Sequence, residues 1–221
     1  MTALFLIGKK RRTNWDNDWL VGNSQTIGDC KIQNNYFATV LGNDFFAVLV
    51  DGTIDHINGR QAAVLAVEIC VSEFKKCKKF IKLEDFSEVF VFFEKLEKKI
   101  ICEVKQYIYL SRTPYLSVSM VYGKDDQMFY YTVGANRLFV INNQDCILLE
   151  EKMGFYKIRC GDVIGLISNG VYETLNEIEL IQTINRNESL YEKAQKISTK
   201  ILDKKKRKQK NATAILVEGR V

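Results

Sequence analysis

Phe45-Phe-Ala-Val-Leu-Val-Asp51-Gly52 is the stretch on which the fold turns, because a six-residue uncharged β-prone run stops abruptly at an aspartate and a glycine. It is preceded by a second apolar run, Tyr36-Phe-Ala-Thr-Val-Leu41, and the two are separated by Gly42-Asn43-Asp44, residues that favour tight turns. The pair predicts a β-hairpin. After Gly52 and a polar stretch the periodicity changes: Ala62, Ala63, Leu65, Ala66, Ile69 and Cys70 recur at three- and four-residue spacing, which predicts a helix. A carboxylate thus sits where a buried strand gives way to a loop, a common place for chemistry.

Working outward, Phe86 to about Leu110 carries Val89, Phe90, Phe93, Leu96, Ile100, Ile101 and Val104 at helical spacing, a second long amphipathic helix. Tyr115–Tyr122, Met128–Gly134, Arg137–Asn142 and Cys146–Glu150 then read as successive strands of an antiparallel meander. Val163–Ile167 is another strand, Glu177–Ile184 and Ser189–Leu202 are helices, and Ala212–Val217 is a final strand. Met1–Ile7 also reads as a strand, too short for a membrane span. Strands in blocks with helix pairs between them predict an α+β fold, two antiparallel sheets with helices outside.

The 221 residues suit a single domain spanning 1–221; 47% are hydrophobic, 27% charged and only Pro114 is proline, which excludes a disordered chain or a proline-rich linker. Six scattered cysteines, with no C-x-x-C pair and only His56 to assist them, exclude a zinc site and read as reduced thiols of a cytoplasmic protein. The net charge of +5 is concentrated in Lys9–Arg12, Lys75–Lys79 and Lys204–Lys210. Such runs read as solvated loops or helix ends; with no aromatic residues interleaved, nucleic acid is not the expected partner, nor is a membrane.

The punctuating motifs, in order, are Gly28-Asp-Cys-Lys31-Ile-Gln-Asn34-Asn35, Asp51-Gly52-Thr-Ile-Asp55-His56-Ile-Asn-Gly59, Gly134-Ala135-Asn136-Arg137, Ser168-Asn169-Gly170-Val-Tyr172-Glu173 and Lys210-Asn211-Ala-Thr213. This series resembles the metal-dependent, type 2C (PPM-type) protein serine/threonine phosphatases from about Thr26 to Val217. The resemblance implies a four-layer α-β-β-α sandwich, two antiparallel sheets flanked by helix pairs. In that family two manganese or magnesium ions in a carboxylate cradle activate the water that attacks a phosphoserine or phosphothreonine.

Against the family pattern, the early Glu-Asp pair stands here as Asn34-Asn35, the Gly-Asp-Ser-Arg acid as Ala135, the Ser-Asp-Gly acid as Asn169 and the terminal acid as Lys210. Asp51 remains, with the Gly52 carbonyl beside it. Two divalent ions need concentrated negative charge to offset their repulsion, and an ammonium at one ligand position opposes them by several kcal/mol. The resemblance therefore implies a degenerate metal site at Asn35, Asp51, Gly52, Asn169 and Lys210, no catalytic residues and no resident cofactor. Lys210, with Asn169, is expected to partner Asp51; Lys31 aligns with the family's phosphate-binding arginine and has two readings, a remnant phosphate contact or, the one favoured, a plain exposed lysine. The function expected is that of a pseudophosphatase binding a protein partner, such as a kinase, a phosphoprotein or a phosphatase. Two alternatives stand beside it: an active divergent phosphatase holding Mn2+ or Mg2+ with Asp51, Asp55 and Glu173, and a binder of phosphate-rich ligands using Lys204–Lys210.

Overall fold

The structure is a computed structural model and describes residues 19–52, 57–77, 86–107, 115–142, 145–185 and 187–219. The strand expected at Met1–Ile7, and Asp55 and His56, lie outside the described residues. Among the described residues there are ten strands: β1 (Trp19–Thr26), β2 (Asn35–Leu41), β3 (Asp44–Gly52), β4 (Leu116–Lys124), β5 (Gln127–Val133), β6 (Arg137–Asn142), β7 (Asp145–Leu149), β8 (Met153–Lys157), β9 (Val163–Ile167) and β10 (Ala212–Gly219). The helices are α1 (Ile57–Cys77), α2 (Phe86–Tyr107), α3 (Asn169–Tyr172), α4 (Glu177–Ile184) and α5 (Leu190–Asp203). Two five-stranded sheets result, ordered β1-β10-β9-β6-β7 and β2-β3-β4-β5-β8, with antiparallel neighbours throughout.

Three apolar layers hold the sandwich together. Between the sheets lie Phe45, Ala47 and Leu49 of β3 against Leu138, Val140, Ile164, Leu166, Ile215 and Val217 of the other sheet. Alternate residues of the same strand, Phe46, Val48 and Val50, face outward and are covered by α1 and α2. Because β3 is buried on both faces it shows no polar alternation, which is why its sequence is a continuous apolar run. On the other side Phe139, Ile141, Ala214 and Leu216 pack against Leu180, Ile184, Ala194, Ile197 and Ile201 of α4 and α5. This is the expected α-β-β-α layering.

The helices follow from local signals. In α2, Val89, Phe92, Phe93, Leu96, Ile100 and Val104 form one buried stripe. Capping boxes start α4 (Asn176 with Glu179) and α5 (Ser189 with Glu192), satisfying first-turn N–H groups that a helix leaves open.

Two expectations are corrected. The strands from Tyr115 onward are not one meander: β5 pairs with β8, whereas β6 crosses to the opposite sheet and lies between β9 and β7. The crossing occurs at Gly134–Asn136, where Gly134 takes φ +88° and a Cβ would stand 2.5 Å from Ser117 Oγ. The Asn136 side chain, 1% exposed, stitches this corner to the β2-β3-β4-β5-β8 sheet by donating to the carbonyls of Leu49 and Ser117, both at 3.2 Å. The second correction concerns β1 and β8, two edge strands that the pattern of apolar runs passes over. The six cysteines are unpaired as expected, but Cys30, Cys102 and Cys160 are exposed and only Cys70 is fully buried.

Candidate functional site

The antiparallel pairing brings the start of β2, the end of β3, the end of β9 and the start of β10 to one end of the sandwich. Asp51 and Asn35 stand directly opposite each other in the β2–β3 ladder. Gly52 then donates its N–H to the Asn34 carbonyl (3.0 Å), and Asn34 N–H donates to Asn211 Oδ1 (2.8 Å), tying this edge to β10. Gly52 is required sterically: a Cβ there would lie 2.0 Å from the Gly59 carbonyl oxygen at the start of α1. The opposite sheet has a matching constraint, because a Cβ on Gly170 would lie 2.1 Å from the Asn211 carbonyl oxygen.

Asn35 is 2% exposed and serves as the hub of the cleft. With its NH2 facing the carboxylate, an orientation assigned from the hydrogen-bond network, it donates to Asp51 Oδ1 (2.9 Å) and Oδ2 (3.3 Å). Its Oδ1 accepts from Ser168 Oγ (3.0 Å) and Thr213 Oγ1 (3.2 Å). Those two hydroxyls are themselves positioned, since Thr213 N–H donates to Ser168 Oγ (2.9 Å) and Gln25 Nε2 donates to Thr213 Oγ1 (3.0 Å). The Asn35 amide is thus fully used, its NH2 on Asp51 of the neighbouring strand and its Oδ1 in joining the two sheets. Burial pushes the Asp51 carboxyl up to about 6, with the Lys210 ammonium pulling the other way.

The expected contact between Lys210 and Asp51 is not formed. Lys210 Nζ lies 2.8 Å from Glu173 Oε1, and Asn169 Nδ2 donates to the same oxygen, also at 2.8 Å. The reason is local geometry: Asn169 and Glu173 are four residues apart at the short α3, so their side chains share a face. Lys210 reaches that exposed carboxylate and acts on Asp51 only through its charge at longer range. Its proximity, and the Asn169 bond, hold the Glu173 carboxyl below the usual carboxylate range. Arg137 stacks over the Tyr172 ring, 5.2 Å from the centroid, beside the same turn.

Lys31 is exposed in the β1–β2 connection. That connection is clasped to the loop before β10: Asp29 N–H donates to the Gln209 carbonyl and Gln209 N–H donates to Asp29 Oδ2, both at 2.9 Å. Asn211 Nδ2 adds a bond to the Ile27 carbonyl (2.8 Å). Lys206 donates to the Glu173 carbonyl (2.7 Å), and Lys204 is paired with Glu179 (2.6 Å), so part of the basic run is committed to the rim itself.

Asn35, Asp51, Gly52, Asn169 and Lys210 thus lie at one end of the sandwich, in two separate groups. Sequence reasoning did not identify Ser168, Thr213 and Gln25 as partners of Asn35, or Glu173 as the Lys210 partner. A signal exists for the Asn35–Asp51 pairing alone, since counting outward from the Asn43 turn puts residue 35 opposite 51.

The donors among the described residues do not fit a pair of divalent ions. Among the described residues no three His, Cys, Asp or Glu side chains come together in a way that could hold a metal. Asp51 is bonded to a neutral amide, and the nearby Glu173 is already neutralised by an ammonium. Asn34 Oδ1 is buried without a partner among the described residues, but one neutral oxygen cannot offset ionic charge. No helix among the described residues is long and apolar enough to cross a membrane.

No protein-family model and no curated protein matches the sequence. Solved structures match the fold. The Streptococcus agalactiae serine/threonine phosphatase aligns with a TM-score of 0.75 at 16% identity, over 91% of this chain and 99% of that one. Stp1 of Staphylococcus aureus aligns at 0.77 and 13%, over 95% and 98%. The catalytic domain of the serine/threonine phosphatase PstP, solved with 2 manganese ions, aligns at 0.74 and 11%, over 90% and 97%. At such identities the likeness speaks for architecture alone, and the architecture of this chain is that of the type 2C, metal-dependent serine/threonine phosphatases.

Proposed function

We propose that this chain is a catalytically deficient type 2C phosphatase-like domain, a pseudophosphatase that works by binding a protein partner. The observation that carries the reading is the Asn35–Asp51 pair: the strand-end carboxylate is held by an amide whose other atoms are consumed in joining the two sheets. A binuclear centre would need further carboxylates here, and the candidate on the opposite rim, Glu173, is bonded to Lys210 and Asn169. The domain retains the shape of an enzyme with the charge of its cleft largely cancelled. Its use is then as a surface for a kinase, a phosphoprotein or a phosphatase.

Calorimetric titration with manganese, paired with hydrolysis of para-nitrophenyl phosphate, tests this. The expected result is no binuclear binding isotherm and no metal-dependent turnover above that of Asp51→Asn. Manganese-dependent turnover that Asp51→Asn abolishes would establish instead the divergent active phosphatase built on Asp51, Asp55 and Glu173.

A further inference from the structure

The β2 strand is an outer strand of its sheet, bonded to β3 on one side only. Its seven residues, Asn35-Tyr-Phe-Ala-Thr-Val-Leu41, carry no charge, proline or glycine. Proteins usually blunt such edges, because a row of open N–H and C=O groups invites pairing with another chain. The other three edges here are blunted. On β1 the Asn23 carbonyl accepts from Gln195 Nε2 of α5 (2.9 Å). The other two, β7 and β8, are only five residues long, β7 opens with exposed Asp145, and β8 ends at Lys157, which pairs with Asp126 (3.3 Å).

Which backbone groups of β2 are open follows from the register. Gly52 N–H bonds the Asn34 carbonyl, and the residues facing β3 alternate from there, so Tyr36, Ala38 and Val40 face β3. Asn35, Phe37, Thr39 and Leu41 face outward. Asn35 confirms the parity: its N–H donates to Gln33 Oε1 (3.1 Å) and its carbonyl accepts from Gln25 Nε2 (3.0 Å), both away from β3. The outward N–H and C=O groups of Phe37, Thr39 and Leu41 have no protein partner among the described residues.

At the Asn35 end this edge continues into the β1–β2 connection, which bears Lys31 and is clasped through Asp29 and Gln209 to the loop bearing Lys205, Arg207 and Lys208. All four are exposed and without a carboxylate partner among the described residues. Two of them lie where the backbone enters the left-handed region, Lys205 at φ 44° and Lys208 at φ 63°, in a loop fixed by the Asp29–Gln209 bonds.

We infer that β2 is the docking edge for an extended segment of a partner protein, added antiparallel as a sixth strand, uncharged along the strand and acidic at its C-terminal end. Main-chain bonds to Phe37, Thr39 and Leu41 supply the affinity, as in other strand-addition complexes. The antiparallel direction brings the C-terminal end of the segment to Lys31 and the 205–208 loop, which fixes its polarity by charge. A second copy of this chain is disfavoured as the occupant, because copies carrying +5 repel. This deepens the partner-binding reading proposed above and rests on it.

The probe is a fluorescein-labelled peptide of alternating Val and Thr, about eight residues as in an ordinary strand, ending in a run of Glu. Fluorescence anisotropy with the full chain should show saturable binding. Thr39→Pro removes only an outward N–H and leaves the β3 ladder intact; it should weaken binding at least about tenfold, the loss of roughly 1.4 kcal/mol, while Thr39→Ala should not. Neutralising Lys31 and Lys208 should weaken binding several-fold and reduce its salt dependence, and the same peptide ending in Lys should not bind. Amide exchange should slow at Thr39 and Leu41 on peptide addition and stay unchanged at Ala38.

The inference is overturned if no peptide binds, or if binding survives Thr39→Pro in a variant whose circular dichroism and Tm match wild type. Self-association lost with Thr39→Pro would overturn it too, by assigning the edge to a second copy. None of these readouts involves metal or turnover, so their failure is distinct from failure of the pseudophosphatase reading.

Discussion

The two rims of the cleft are built alike and neutralised differently. On the β3 side, a glycine pressed against backbone (Gly52) follows a carboxylate, Asp51, that is largely buried and bonded to Asn35. On the β9 side, a glycine pressed against backbone (Gly170) precedes a carboxylate, Glu173, that is exposed and bonded to Lys210 and Asn169. Shape is held by the same device in both places, whereas charge is handled by an interior amide in one and by a solvent-screened ion pair in the other. The energetic weights should therefore diverge sharply, since an interior polar group deprived of its partner costs far more than an exposed pair.

The largest effects should be common to both rims. Gly52→Ala and Gly170→Ala each force a methyl into backbone oxygen at 2.0 and 2.1 Å, and each should lose about 3 kcal/mol in urea denaturation. A mild effect at either position would mean that one rim is looser than its partner. Next comes Asn35→Ala, which strips Asp51 of its amide donor and Ser168 and Thr213 of their shared acceptor, and should cost about 2–3 kcal/mol by the same measurement. If it costs no more than a surface substitution, the contrast between the rims collapses.

Asp51→Asn sharpens the comparison through pH. The folded-state value of about 6 lies above the ordinary 3.8, so between those values the native state holds more protons than the unfolded chain. Stability contributed by this group is thus present at low pH and falls as pH rises from about 4 through 6, by roughly 2 kcal/mol once the Asn35 bond to the ionised form is set against burial. The difference in stability between wild type and Asp51→Asn should follow that curve, and a flat difference across pH 4–6 would contradict it. The smallest effect is on the exposed rim: a double-mutant cycle of Lys210→Ala with Glu173→Ala should return a coupling of about 0.2–1 kcal/mol. A coupling several times larger would show that the Lys210–Glu173 pair is shielded from water.

How far the amino-acid order carries this picture depends on the element. The β2–β3 hairpin was legible because a single turn, Gly42-Asn43-Asp44, separates two uninterrupted apolar runs; α4 was legible from periodicity and lies at Glu177–Ile184 as read. Missing from that reading were β1, whose second half is Asn23-Ser-Gln-Thr26, and β8, a five-residue edge containing Gly154. Edge strands need less apolar surface, so the pattern that marks central strands fades there. The crossing of β6 to the other sheet was hidden too, since alternation reports that a strand has a buried face but not which sheet it joins. Within the site, the positions of Asp51 and Asn169 followed from strand ends. The partner of Lys210 depended on where an exposed lysine side chain reaches, which spacing along the chain does not encode.

The β10 strand lies between β1 and β9, with Trp19 opposite Gly219. The strands of the β2-to-β8 sheet all fall within 35–157, so that half can pair while translation is still under way. Its counterpart has no bridge between β1 and β9 until Ala212–Gly219 has been made. The cleft therefore assembles only after the β2-to-β8 sheet can already pair, and a chain interrupted shortly before Ala212 would expose the apolar flanks of β1 and β9 together, making it a natural substrate for chaperones and proteases.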